Sequence, residues 1–244
     1  MTLLTRGAGA AYIPSIAAFV PSSISGLVLW LDANVGVTHV ANAISDWADQ
    51  SGSANNATQA TAAQKPTLGT DSVTGRKQVT FDGANRMQII DSNSLDLTTG
   101  MSVFIAANIG TLVTYAYFMS KDSTTGLTAY GIYCNAGPTD IRFNINGTEA
   151  DVKTGGTLTG RHLLAGIYDK VNVQGRWDKA ATASTALTAD ITTNAVDLWI
   201  GDARSIGGNG FTGNMFEVLI YNSGLSNADR DSVETYLRDR WSTT

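Results

Sequence analysis

Apolar and polar residues alternate in short segments along most of the chain. Every second residue from Met101 to Ile109 is apolar, and Ile141, Phe143 and Ile145 alternate with polar residues. A period of two is typical of a β-strand that buries one face. About ten or more such segments, spaced roughly 8–15 residues apart, predict a chain built mainly of short strands.

Turn-forming residues separate these segments. Asn146 and Gly147 both tolerate a positive φ angle, which is the pattern of a two-residue β-hairpin. Asp178 and Lys179 stand at a similar connection, but neither is glycine, so the turn type is left open there. Many short strands joined by such turns predict a two-sheet antiparallel sandwich.

The last thirty residues change from a strand pattern to a helical one. A strand ending at Tyr221 is followed by turn residues and by Ser226, which has the side chain of an N-cap. Val233, Leu237 and Trp241 then recur at helical spacing. We therefore predict a short C-terminal helix that packs on the sandwich and buries Leu237.

Several motifs occur in a specific order between Gly26 and Trp241. They resemble those of a laminin-G-like, or concanavalin A-like, lectin/glucanase jelly-roll domain. The matching residues are Leu27, Leu29, Trp30, Leu31, Asp32 and Ala33; Trp47, Asp49, Ser51, Gly52, Asn56, Ala57 and Gln59; Val79, Phe81, Asp82 and Gly83; and Gly213, Glu217, Val218, Leu219, Ile220, Tyr221, Asn222, Leu225, Ser226, Ala228, Arg230, Val233, Glu234, Tyr236 and Leu237.

The resemblance implies a specific fold class. It implies an all-β, two-sheet antiparallel jelly-roll sandwich of the concanavalin A-like type with one short C-terminal helix. The strand pattern alone supports the sandwich, whereas the jelly-roll connections rest on the resemblance.

Composition excludes several functional classes. Charged residues make up 15% of the chain, the net charge is −5, and no basic run occurs, so nucleic-acid binding is not expected. Cys134 is the single cysteine, which excludes an internal disulfide and a cysteine-based zinc site. No apolar segment reaches transmembrane length. We expect Cys134 to be a buried apolar side chain within a strand.

The first 25 residues differ from the rest of the chain. They are rich in small residues and contain two prolines, which disfavours a long helix. We predict an extended N-terminal arm over residues 1–25 and the jelly-roll sandwich over 26–244. A solvated tail rarely carries many large apolar residues, so the arm is expected to contact other chains; the alternative is a disordered tail. The predicted assembly contacts are Leu4, Tyr12, Ile13, Ile16 and Phe19.

The sequence does not contain the carboxylates that hydrolytic members of this fold use. Retaining glycosidases need two carboxyl groups about 5 Å apart. The glucanase branch of this fold carries them in a Glu-x-Asp-x-x-Glu or Glu-x-Asp-x-Glu motif. The chain has three glutamates, and Glu149 with Asp151 begins this motif without a third carboxylate. Glu217 and Glu234 are explained by caps and surface pairs. His39 and His162 form no catalytic or zinc pattern. We therefore predict no enzymatic activity, no catalytic residue and no cofactor.

Two kinds of binding site are left open. Lectin-like loops often hold calcium through carboxylate and amide oxygens, and Asp46, Asp49 and Asn56 are the candidates, with Asn55, Asp202 and Asn209 as further oxygen donors. The alternative is that these side chains stiffen their own loops through hydrogen bonds. A sugar site would place an exposed aromatic ring beside polar groups. The candidate rings, each also suited to the core, are Trp47, Tyr117, Tyr130 and Trp199.

Two functional hypotheses follow. The first is a non-enzymatic virion structural protein of a tailed bacteriophage, in the head decoration, a fibre or the tail. It would contact other virion proteins through the arm, form a homo-oligomer and bind host surface glycans weakly. The alternative is a carbohydrate-binding adhesin module on a bacterial surface or in a secreted protein. The fold alone does not choose between them.

Overall fold

The computed structural model describes residues 19–122, 128–135, 138–202 and 210–243. These residues form seventeen β-strands and one α-helix, with three short 3-10 turns at Pro21–Ser23, Ala62–Gln64 and Asn93–Leu95. The strands are β1 Leu27–Asp32, β2 Val37–Val40, β3 Ala43–Trp47, β4 Ala57–Thr58, β5 Thr67–Thr70, β6 Lys77–Asp82, β7 Met87–Ile89, β8 Met101–Ile109, β9 Tyr117–Asp122, β10 Thr128–Cys134, β11 Asp140–Ile145, β12 Thr148–Thr154, β13 Gly160–Tyr168, β14 Asn172–Trp177, β15 Ala180–Ala186, β16 Leu198–Ile200 and β17 Thr212–Tyr221; helix α1 is Asn227–Trp241.

The strands form two antiparallel layers. In the β17 layer, β17 pairs with β8 on one side and with β1 and β6 on the other, and β13, β14 and β15 extend the sheet beyond β8. In the β10 layer, the order is β4, β7, β16, β9, β10, β11 and β12. Strand β3 pairs with β4 of the β10 layer and with β5, which pairs with β6 of the β17 layer, and so joins the layers. The predicted all-β jelly-roll sandwich with one C-terminal helix is confirmed.

Apolar residues from both layers fill the space between them. On β8, Val103, Ile105 and Ala107 belong to this core, as their alternation predicts. The other face of β8 does not meet solvent, because Phe104 and Ala106 lie in a second apolar cluster under helix α1. The alternation thus separates two cores rather than core from solvent.

Helix α1 closes the outer face of the β17 layer. Its first turn is capped by Ser226, whose hydroxyl accepts a hydrogen bond from the backbone N–H of Asp229 at 3.2 Å. Val233, Leu237 and Trp241 are fully buried, as their spacing predicts. Arg161 on β13 hydrogen-bonds the carbonyl oxygen of Trp241, which satisfies the last turn. No helix in the described part of the chain is long and apolar enough to span a membrane.

Two predicted hairpins have the same backbone conformation. Asn146 and Gly147 have φ angles of 52° and 84°, as a two-residue turn between β11 and β12 requires. Asp178 and Lys179, between β14 and β15, also have positive φ angles, of 50° and 71°. The second turn is therefore of the same type, although it contains no glycine.

The described chain begins with residues that pack on the sandwich. Phe19, a predicted assembly contact, places its ring 5.7 Å from the Tyr236 ring of its own helix α1. The hydroxyl of Tyr221 donates a hydrogen bond of 3.0 Å to the carbonyl oxygen of Pro21. Residues 19–25 thus contact the domain that they precede. The other predicted contacts, Leu4, Tyr12, Ile13 and Ile16, lie outside the described residues.

Candidate functional site

Three tyrosine rings lie together on the outward face of the β10 layer. Tyr133 on β10 and Tyr117 on β9 are direct cross-strand partners, and their rings stack with centroids 5.2 Å apart. Tyr115, in the connection before β9, lies 6.4 Å from Tyr133 and is 42% exposed. Alternation explains their position, because the neighbouring residue Ile132 points into the core.

Tyr115 has an unusual backbone conformation. Its φ angle is 60°, in a region that bulky side chains rarely adopt. Such a conformation costs free energy and persists only where the surrounding structure imposes it, often at binding sites. Here it holds an exposed aromatic ring beside the two stacked ones.

A charged group adjoins the tyrosines on the next two strands. Arg142 on β11 lies beside Tyr133 in register, and Asp151 on β12 lies beside Arg142. The Arg142 Nη1 donates to Glu149 Oε2 at 2.5 Å, and its Nε lies 3.2 Å from Asp151 Oδ1. The second contact is an ion pair without hydrogen-bond alignment, since Arg142 Nε has no hydrogen-bond partner. We call Tyr115, Tyr117, Tyr133, Arg142, Asn144, Glu149 and Asp151 the tyrosine platform.

Glu149 is held in its ionised form. It accepts hydrogen bonds from the Tyr133 hydroxyl, from Arg142 and, at 3.4 Å, from Asn144. Burial disfavours the ionised form, but the hydrogen bonds from Tyr133 and Arg142 outweigh it and lower the pKa of Glu149. Burial and the bond to Glu149 also raise the pKa of the Tyr133 hydroxyl. A carboxyl group with a lowered pKa is unsuited to donate a proton at neutral pH.

The same outward face continues toward β16. Ser120 on β9 pairs with Trp199 on β16, and Trp199 pairs with Gln88 on β7. The guanidinium of Arg86 lies 4.5 Å from the centre of the Trp199 ring. Trp199 is 9% exposed, and Ser120 is fully buried. This end of the face is therefore less accessible than the tyrosine platform.

The two other glutamates are buried, so their prediction as cap or surface residues is wrong. Glu234 on α1 is fully buried and pairs with Arg176 Nε at 2.6 Å. Glu217 on β17 accepts hydrogen bonds from Trp30 Nε1 at 2.7 Å, Tyr236 hydroxyl at 2.9 Å and Trp241 Nε1 at 2.6 Å. The apolar strand around Glu217 gave no indication that side chains from β1 and α1 meet on its carboxylate.

Arg240 links Glu217 to a second buried carboxylate. Its Nη2 donates to Asp32 Oδ2 at 2.5 Å, and its Nε lies 3.2 Å from Glu217 Oε2. Burial and then the charge of Asp32 raise the pKa of Glu217 to about 7, against the hydrogen bond from Trp241 and the charge of Arg240. We call Trp30, Asp32, Glu217, Tyr236, Arg240 and Trp241 the helix anchor. Its hydrogen bonds pair these groups with one another, apart from Arg240 Nε, which has an ion-pair contact only. This pairing indicates a structural role.

Two cavities lie on either side of Tyr236. One, of about 520 Å³, lies along α1 and is lined by Arg76 and Asp239, among others. The other, of about 440 Å³, is lined by Val35 and Gln50, among others. Both are within the size range of small-molecule sites. Four residues of the helix anchor line the smaller cavity, whereas only Tyr236 and Arg240 of the anchor line the larger one.

The structure does not bring the calcium candidates together as a ligand set. Asp49 accepts hydrogen bonds from the backbone N–H groups of Trp30, Ser51 and Asn55. Asn56 accepts one from the N–H of Asp49 at 2.9 Å. These bonds fix the loop between β3 and β4, which is the alternative that the sequence left open. Asp46 lies on β3, outside this loop network.

The other residues considered as metal ligands or reactive groups lie apart from one another in the sequence and have individual surroundings. Asp202 is 2% exposed, and Asn209 lies outside the described residues. Among the described residues, no three His, Cys, Asp or Glu side chains form a group suited to a metal ion. His39 is exposed, and His162 packs on Trp177 with ring centres 4.1 Å apart. Cys134 is fully buried, as predicted.

The predicted aromatic candidates divide into core and surface. Trp47 and Tyr130 are fully buried in the core, and the Tyr130 hydroxyl donates to the carbonyl oxygen of Leu95. Tyr117 and Trp199 lie on the outward face of the β10 layer. Sequence reasoning missed Tyr115 and the platform role of Tyr133, Arg142 and Glu149. The alternation in β11, which places Arg142 and Asn144 on the face opposite Ile141, could have indicated that these two side chains lie on the outward face.

Comparisons with known proteins identify the fold but no family. No family model matches the sequence, and no curated protein matches it. Domain 4 of AbnA, a GH43 extracellular arabinanase from Geobacillus stearothermophilus solved with arabinotriose, is similar with a TM-score of 0.61 and 15% identity, over 88% of this chain and 98% of that one.

Two further structures are similar over part of their length. The binding domain of Paraclostridial Mosquitocidal Protein 1 has a TM-score of 0.63 and 10% identity, over 90% of this chain and 53% of that one. Trypanosoma rangeli sialidase, in complex with sialic acid, has a TM-score of 0.61 and 12% identity, over 91% of this chain and 34% of that one. This chain therefore spans about half of the first and a third of the second. At these identities the likeness establishes only a β-sandwich fold shared with parts of these three proteins.

Proposed function

We propose that the chain is a non-enzymatic carbohydrate-recognition domain that binds saccharides on the tyrosine platform. The observation that carries this proposal is the exposed Tyr115 ring, held at a positive φ angle beside stacked Tyr117 and Tyr133 and the charged groups of Arg142 and Asp151. Aromatic faces pack on the apolar face of a sugar ring, and planar charged groups bond its hydroxyls. The complex of AbnA domain 4 with arabinotriose is consistent with this fold serving such a role.

The state of the carboxylates supports a role without catalysis. A retaining glycosidase needs one carboxyl group that donates a proton. Glu149 has a lowered pKa and is tied to Arg142, and Glu217, whose pKa is raised, is fully buried. Glu149 is partly accessible but ionised, and Glu217 can hold a proton but is buried, so neither is suited to protonate a substrate.

Truncating a platform tyrosine is expected to weaken saccharide binding. Tyr115→Ala removes a partly exposed ring that belongs to neither apolar core, so we expect little change in folding. We expect about a tenfold loss of affinity for the saccharide, equivalent to ~1.4 kcal/mol. A glycan array followed by titration calorimetry on the strongest hit measures this loss.

A control at Val35 distinguishes the platform from the smaller of the two cavities beside Tyr236. Val35 is 44% exposed and lines one of these cavities. Val35→Ala should leave the affinity within about twofold of the wild type. If Val35→Ala weakens binding and Tyr115→Ala does not, the saccharide lies beside the helix and the platform assignment is wrong.

A tailed-phage virion component, in the head decoration, a fibre or the tail, is a second candidate for the biological setting of this domain. The observation offered in its support is that Phe19 packs on Tyr236 and that Pro21 accepts a hydrogen bond from Tyr221, so this end of the predicted arm lies against the sandwich. An arm fixed at its base is suited to reach a neighbouring subunit. On a bacterial surface or in a secreted protein, the same domain would serve as an adhesin module.

Deletion of the arm tests the virion setting. Removing residues 1–18 is expected to leave the melting temperature within about 2 °C of the wild type, because the contacts of Phe19, Pro21 and Ile24 remain. Removing residues 1–25 should lower it by several degrees, since those contacts are lost.

The arm deletion also has an assembly readout. Incorporation into the parent particle, followed by electron microscopy, should be lost in the shorter deletion. Normal incorporation without residues 1–18 would remove the support for arm-mediated assembly.

A further inference from the structure

The charges of the tyrosine platform restrict the class of saccharide that it can take. Arg142 is the cation of the platform, and Glu149 and Asp151 both lie within ion-pair distance of it. Two carboxylates and one guanidinium leave one net negative charge beside the exposed aromatic ring. The side chain of Asp151 is 38% exposed, whereas that of Arg142 is 29% exposed. A ligand on this surface is therefore next to more carboxylate acceptors than cationic donors.

The other charged groups considered on β11 and β12, Asp140 and Lys153, do not reverse this sign. Asp140, at the start of β11, adds a carboxylate whose Oδ1 accepts a bond from the N–H of Gly155 at 3.3 Å. Lys153, the next cation along β12, places its Nζ 6.0 Å from the Trp177 ring centre. The Arg142 guanidinium is thus the cation nearest the three rings among the described residues of β11 and β12.

We infer that the tyrosine platform binds neutral saccharides and discriminates against those that carry a carboxylate. This inference rests on the proposed function and names the ligand class of the same site. Sugar hydroxyls donate to the outer oxygen of Asp151 and accept from the outer amines of Arg142. A sialic or uronic acid would have to draw Arg142 away from Glu149 and Asp151 and leave those carboxylates unpaired.

A paired glycan array tests the inference. Each neutral oligosaccharide is printed beside a counterpart that differs by one carboxylate, such as the methyl ester of sialyllactose beside sialyllactose, or the methyl ester of a monogalacturonate glycoside beside its free acid. The wild type should bind the neutral member of each recognised pair more strongly, by about threefold to tenfold, as expected for one charge about 5 Å away near a solvated surface. The preference should shrink as salt is raised.

A charge-removing variant with a matched control identifies the source of the discrimination. Asp151→Asn keeps the side-chain shape and should raise binding of the acidic member toward that of the neutral one. Asp239→Asn makes the same change of net charge on α1, away from the platform, and should leave the preference unchanged. Asp239 is 64% exposed, so this control is expected to fold normally.

The outcomes separate the two proposals. A wild type that prefers acidic glycans, or a preference that Asp151→Asn does not alter, overturns the inference about ligand class, while binding that depends on Tyr115 still supports a saccharide site. Absence of binding to every printed glycan, or binding that Tyr115→Ala leaves unchanged, overturns the proposed function and this inference with it.

Discussion

Replacing Glu217 with glutamine is expected to lower the free energy of unfolding by about 2–4 kcal/mol. Trp30 and Tyr236 donate to one oxygen of Glu217, and Trp241 donates to the other. Glutamine offers one oxygen and a donor amide, so at least one buried N–H or O–H group loses its acceptor. Each such loss costs about 1–3 kcal/mol. Urea unfolding followed by tryptophan fluorescence measures the change.

Glu149→Gln is the matched control for this variant. Glu149 also pairs with an arginine, but its side chain is 26% exposed, so solvent can replace the lost contacts. We expect a change of about 1 kcal/mol or less. Equal costs for the two variants would mean that the helix anchor contributes no more than a surface pair does.

The pH dependence of stability should report on Glu217. Burial raises its pKa from 4.5 to about 7, so between these values the folded state binds a proton that the unfolded state has released. The stability that this group contributes is therefore full at low pH and decreases as pH rises through this window. At 1.36 kcal/mol per pKa unit, the decrease reaches about 3 kcal/mol.

The glutamine variant isolates this contribution. Glu217→Gln removes the titrating group, so its unfolding free energy should fall less between pH 5 and pH 8 than that of the wild type. Other groups titrate in both proteins and cancel in the comparison. Parallel pH profiles would show that Glu217 has an ordinary pKa in the folded state.

Local patterns predicted the parts of the fold that depend on neighbouring residues. The period-two alternation on β8 and the cap at Ser226 follow from two to four adjacent positions, and both are confirmed. Their physical causes act within one strand or one helical turn. The same holds for the hairpin at Asn146 and Gly147.

Long-range contacts account for what the sequence did not predict. Glu217 lies 187 positions from Trp30, and no local pattern indicates that their side chains meet. Glu217 and Glu234 were therefore assigned to caps and surface pairs. In this structure the motif residues Trp30, Asp32, Glu217 and Tyr236 belong to one polar network, which Arg240 completes.

The tyrosine platform was missed for a related reason. Tyr133 and Arg142 stand on different strands, and they become neighbours only through the register of β10 with β11. A positive φ angle at Tyr115 has no signature in the sequence, because tyrosine is not a residue that favours it. Tyr117 was predicted as a candidate sugar-binding ring only because it is aromatic. Whether its ring is exposed depends on which strands flank β9.

Truncating Leu237 to alanine should cost about 2–5 kcal/mol, as buried leucines typically do. Leu237 is fully buried and belongs to the apolar cluster that Phe104, Phe216 and Trp241 form between α1 and the β17 layer. Because this cluster is separate from the core between the layers, the cavity left by the truncation lies directly under the helix. The loss should appear as a lower midpoint in urea unfolding.

Two variants establish that this cost comes from docking of the helix. Leu237→Met conserves most of the buried volume and should cost less than about 1.5 kcal/mol. Arg238→Ala changes the adjacent position, whose side chain is 43% exposed, and should stay within about 0.5 kcal/mol. A cost below about 0.5 kcal/mol for Leu237→Ala would mean that the helix is not docked in solution. The buried acceptor at Glu217 would then be open to water, and the raised pKa inferred for it would disappear as well.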